Sequence, residues 1–123
     1  MDNISIQIPA SPEYLNVVRL IASGLASRLK FTIDDIEDLK IAVDELSAYL
    51  TGAQGRDGRL DIIFEVHDDR IEIKGSGTFS AGTKVRTELT DLSRMILGSV
   101  VDDAALELTD GTPTFKLSKA KRS

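Results

Sequence analysis

Residues 32–50 read TIDDIEDLKIAVDELSAYL, and the fold turns on how this stretch is read. Ile36, Leu39, Val43, Leu46 and Leu50 recur in steps of three and four, which is one apolar stripe along an α-helix. Thr32 with Asp35 three residues on has the form of a capping box. Asp34, Asp35, Glu37 and Asp38 crowd the first turns, where the helix dipole favours negative charge, and read as dipole-compensating surface. Glu45 and Tyr49, four apart, share a face.

Upstream, Ile4, Ile6 and Ile8 alternate with Ser5 and Gln7 as a half-buried strand that Pro9 ends. Ser11-Pro12-Glu13 opens a first helix, with Ser11 as cap and Leu15, Val18, Ile21 or Ala22, Leu25 and Leu29 as its stripe. Downstream of the polar loop TGAQGRDG, Leu60, Ile62, Phe64 and Val66 alternate as a strand. His67-Asp68-Asp69-Arg70 is a tight turn into Ile71 and Ile73, making a hairpin. GSGTFSAGTK, residues 75–84, has three glycines and reads as a mobile loop. A third helix is predicted from Thr87 through Val100, followed by two strands about Asp110-Gly111.

The order β-α-α-β-β-loop-α-β-β predicts an α/β (α+β) two-layer sandwich, a mostly antiparallel sheet with three helices on one face. The 123 residues suit a single domain spanning 1–123. A net charge of -5 disfavours a phosphate-neutralising nucleic-acid binder. The basic tail KLSKAKRS reads as a frayed, solvated end. Without cysteine there is no disulfide, thiolate nucleophile or thiolate metal site. Neither a signal peptide nor an apolar run long enough for a bilayer is legible, so a cytoplasmic protein is expected. The one histidine, His67, reads as an exposed turn residue without metal-ligating partners, and no metal site is expected.

Three segments, IPASPEYLNVVRLIASGLA, IDDIEDLKIAVDELSAYL and LSRMILGSVVDDAALELTDGTPTFKLSK, in this order resemble the anti-sigma-factor serine kinase-like family of the GHKL superfamily, with its Bergerat or histidine-kinase-like ATPase fold. The resemblance covers nearly the whole chain. It implies an ATP site built on E-x-x-x-N, in which the glutamate orients the attacking group and the asparagine holds magnesium. Glu45 matches the glutamate, the catalytic residue if the chain is active, while Tyr49 stands at the asparagine position. The family's D-x-G-x-G motif places an adenine-accepting aspartate where Gly75 stands, two residues before Gly77. A phosphate-wrapping lid would draw on Gly75, Gly77, Gly82 and Lys84, with Arg86 nearby. With a phenol in place of a magnesium ligand and glycine in place of an acceptor, ATP binding is expected to fall by at least about two orders of magnitude relative to an intact family member, or to vanish.

The function implied is that of an anti-sigma-factor-like regulator in a partner-switching system. Its partners would be a sigma factor and/or an anti-anti-sigma protein, and a homodimer is a common assembly of the family. Tyr14, Asn16, Arg19, Ser23 and Arg28 lie off the first helix's apolar stripe and are candidate partner contacts. The alternative is an active serine protein kinase that uses ATP and magnesium to phosphorylate the anti-anti-sigma partner. A third reading, outside the family, is a small α/β interaction domain.

Overall fold

A computed structural model describes residues 1–122. Five strands and three helices follow in the predicted order: β1 (Asp2–Pro9), α1 (Leu15–Arg28), α2 (Ile33–Thr51), β2 (Gly58–Val66), β3 (Arg70–Phe79), α3 (Asp91–Val100), β4 (Asp103–Thr109) and β5 (Thr112–Ala120). The strands form one antiparallel sheet in the order β1-β2-β3-β5-β4. Period-two alternation sends Leu60, Ile62 and Phe64 of β2, Ile71 and Ile73 of β3, and Phe115 and Leu117 of β5 to one face. There they meet Val18, Ala22 and Ala26 of α1, Leu39, Val43, Leu46 and Leu50 of α2, and Leu97 of α3 in one core. The helices cover this face and leave the opposite face of the sheet polar. No helix among the described residues is long and apolar enough to cross a membrane.

Several local expectations change. Ser11 makes no side-chain cap; a single 3-10 turn, Pro12–Tyr14, leads into α1 instead. Thr32 does cap α2, its hydroxyl accepting from the Asp35 amide at 3.1 Å. The other half of that box is put to different use. Asp35 is only 4% exposed, and its Oδ1 faces the ammonium of Lys119 at 3.6 Å. Lys119 is itself buried and donates to the Val100 carbonyl at 2.7 Å. So Asp35 is not surface, and the basic tail is not frayed as far as Ala120, because β5 carries it across the sheet. Asp34 and Glu37 do remain exposed.

The stretch 75–79 is strand rather than loop. Gly75 pairs with Ile62 and Phe115, and Gly77 with Leu60. A Cβ on Gly75 would overlap the Phe115 ring, and one on Gly77 the Phe79 ring. The aromatic rings occupy the space that side chains would take, so only glycine fits at either point. Helix α3 starts at Asp91, later than predicted, because Thr90 is its cap and accepts from the Ser93 amide at 3.1 Å. His67 is not an exposed turn residue: its ring is half-buried against Glu72, with Nε2 2.7 Å from Oε2.

Candidate functional site

Helix α2 presents Glu45 and Tyr49 toward the N-terminal turn of α3. Ser93 Oγ donates its one proton to Glu45 Oε2 at 2.6 Å, since a carboxylate only accepts. The 2.7 Å contact between Tyr49 and Ser93 therefore has the phenol as donor. The Tyr49 oxygen in turn accepts from the Thr90 amide at 3.0 Å. Thr90 Oγ1 completes the group by donating to Ser93 Oγ at 3.0 Å. Four residues on two helices thus form one proton-ordered chain from the Thr90 amide to the Glu45 carboxylate.

Beside this latch, Arg56 closes the C-terminal end of α2. Its Nε donates to the Leu50 carbonyl at 2.9 Å and its Nη2 to the Tyr49 carbonyl at 3.3 Å. A cation here satisfies two of the carbonyls that a helix leaves unpaired at its end. Nη1 reaches the Lys84 carbonyl at 3.2 Å and so ties down the 80–90 connection, while the guanidinium lies 6.0 Å from the centroid of Phe79.

The predicted site residues are thus divided. Glu45 and Tyr49 come together as their spacing requires. Gly75 and Gly77 lie in β3 under phenyl rings and do not belong to a lid. Gly82, at φ 84°, and Lys84 do lie in the connection, but Lys84 contributes its carbonyl and its side chain is exposed. Arg86 turns to the Glu88 carbonyl at 2.7 Å. Sequence reasoning missed Ser93 and Arg56. Thr90-Asp91-Leu92-Ser93 has cap spacing that would have marked Ser93; Arg56 lies in a glycine-rich loop with no signal for its role.

Tyr14, in the turn that leads into α1, and Asn16 and Arg28 of α1 are exposed as expected. Arg19 is committed inward to Asp44 at 2.6 Å, and the Ser23 hydroxyl to the Arg19 carbonyl at 2.8 Å. The same face carries two exposed apolar side chains, Val17 and Leu20.

No family model matches the chain. Serine-protein kinase RsbW of Bacillus pumilus is 44% identical over 78 residues, 59% of this chain and 48% of the relative. RsbW of Bacillus subtilis is 43% identical over 75 residues, covering 58% and 47%. RsbW of Listeria innocua is 40% identical over 78 residues, covering 61% and 50%. The chain spans about half the length of the curated relatives it matches. Among solved structures, the RsbU and RsbW domains of Rv1364c from Mycobacterium tuberculosis superpose with a TM-score of 0.65 at 15% identity, over 100% of this chain and 34% of that one. The resemblance to the anti-sigma-factor serine kinase-like family of the GHKL superfamily is therefore borne out, in sequence over 59% of the chain and in fold over all of it.

Proposed function

We propose that the chain is an anti-sigma-factor-like regulator that acts by gripping a sigma factor and/or an anti-anti-sigma protein, its ATP site weakened or lost. What carries this reading is the state of Tyr49. It stands where the family resemblance puts the magnesium-holding asparagine, and its hydroxyl is engaged on both sides by Thr90 and Ser93. A neutral phenol is a poor partner for magnesium, which takes carboxylate, carbonyl, water and phosphate oxygens in a tight octahedron. Gly75, at the adenine-accepting position, has no acceptor and lies beneath Phe115. The residues present do not fit magnesium-ATP, and no phosphoryl-transfer step is assigned to them. The regulator's partners act inside the cell, so this reading places the chain in the cytoplasm, as a single regulatory domain that can pair with a second copy.

The active-kinase reading has one observation in its favour besides the names of the relatives. The Glu45 carboxylate accepts a hydrogen bond from a serine hydroxyl at 2.6 Å, the geometry a general base needs. That serine is the chain's own Ser93, which leaves the carboxylate engaged within the molecule.

Thermal unfolding with and without magnesium-ATP decides between them. A ligand at 100 times its dissociation constant stabilises by about 2.7 kcal/mol, a shift of several degrees. No shift at millimolar nucleotide is expected, together with co-elution of purified sigma factor or anti-anti-sigma protein in gel filtration. A clear shift would transfer the assignment to the kinase. Light scattering on the same column reads the homodimer.

A further inference from the structure

On the polar face of the sheet, at the closed end of the β2–β3 hairpin, three side chains converge. Glu65 of β2 and Glu72 of β3 are direct cross-strand partners. His67 sits in the turn between them, which is closed by its amide donating to the Arg70 carbonyl at 2.9 Å. One ligand atom from each of the three lies within 4.8 Å of the other two. The side chains are 17%, 18% and 29% exposed for Glu65, His67 and Glu72, so this is a partly sheltered cluster rather than a loose rim.

Two carboxylates directly opposite on one face repel, so the pair requires a cation. Among the described residues the chain supplies two side-chain cations: Lys74 Nζ at 2.9 Å from Glu65 Oε2, and Arg70 Nη2 at 3.9 Å from Glu72 Oε2. Both are substantially exposed and able to swing away. The sequence alone denied His67 any partner; the strand register provides two.

We propose that Glu65, His67 and Glu72 form a binding site for a divalent first-row transition metal of the zinc class. One imidazole and two carboxylates make a nitrogen–oxygen donor set that suits zinc, cobalt or manganese, whereas magnesium and calcium prefer oxygen alone. Ligand atoms about 2.1 Å from one ion in a tetrahedron stand about 3.4 Å apart, so the triad closes by side-chain rotation of about 1 Å. Three protein ligands leave further positions to water. The metal replaces the His67–Glu72 hydrogen bond and displaces the Lys74 ammonium from Glu65. The affinity therefore reflects a competition between metal and lysine. The site is independent of the α2–α3 latch and of the regulatory reading.

The test is a zinc chloride titration of the full chain, free of any affinity tag, by calorimetry and by nitrogen-15 NMR of the imidazole. The chain has one histidine, so every imidazole signal reports on His67. The expected result is one zinc per chain with a shifted His67 ring. His67→Gln and Glu72→Gln should weaken binding by about tenfold or more. Lys74→Met should tighten it by about two- to fivefold, a gain that misfolding cannot produce. The proposal is overturned if the ring signals stay put at zinc up to about 1 mM. It is equally overturned if a Glu65→Gln/Glu72→Gln double variant binds as the parent does, if Lys74→Met leaves affinity unchanged, or if magnesium binds as tightly as zinc.

Discussion

The hydroxyl of Tyr49 donates a hydrogen bond to Ser93 and accepts one from the Thr90 amide. A phenylalanine at this position would keep the ring and remove both bonds, leaving the Thr90 amide and the Ser93 oxygen short of a partner. Tyr49→Phe should cost about 1–2 kcal/mol, because a stranded polar group loses more than the bond itself. Urea unfolding would show it as a lower midpoint with an unchanged slope. A variant as stable as the parent would mean that the latch adds nothing to holding α3 on α2. At this scale the sequence was half legible. Glu45 and Tyr49 share a face because four residues make about one helical turn, and that is readable from spacing. Ser93 and Arg56 reach the same place only through tertiary docking, from 48 and 7 residues away in the chain. No local period encodes that approach.

Among elements, the β2–β3 hairpin carries an ion pair whose effect on stability depends on pH. The hydrogen bond from Lys74 holds the Glu65 carboxyl below its ordinary value of 4.5, and the same bond raises the Lys74 ammonium above its ordinary 10.5. The lowered carboxyl contributes stability that is full above the ordinary value and lost as pH falls through the folded one. The raised ammonium contributes stability that is full below its ordinary value and lost as pH rises through the folded one. The pair therefore stabilises across the neutral range and fails toward both extremes. Being partly exposed, it is worth about 0.2–1 kcal/mol at low salt. With chelator present, Lys74→Met should lower the urea midpoint at pH 7 and cost progressively less as pH falls below the ordinary carboxyl value; a loss that does not shrink with pH would assign the effect to packing instead. The alternating apolar residues made this hairpin legible as far as Ile73. Beyond it, Gly75 and Gly77 erased the alternation, because the rings of Phe115 and Phe79 stand in for their missing side chains. The Phe115 ring comes from β5 and the Phe79 ring folds back from two residues on in β3, and the residue pattern of β3 registers neither. The capping signal at Thr32 was readable for the opposite reason, since donor and acceptor are three residues apart.

Across the whole molecule, α1 turns outward a face that the core does not need. Leu20 is 64% exposed, beside exposed Val17 and Tyr14. If this face grips the regulatory partner, Leu20→Glu should abolish co-elution with purified sigma factor or anti-anti-sigma protein while moving the unfolding midpoint little, as for most surface substitutions. Retained co-elution would move the grip elsewhere on the molecule. The layer arrangement was legible from the order of elements, but the strand order was not, and one feature of it reaches beyond the finished fold. β5 is inserted between β3 and β4, although it is synthesised after both. Until residues 112–120 are in place, β4 has no strand to lie against and β3 offers a raw edge to any passing chain. Sheet closure waits for residues 112–120, and a product truncated before Thr112 would be a sticky fragment fit for proteolysis or aggregation.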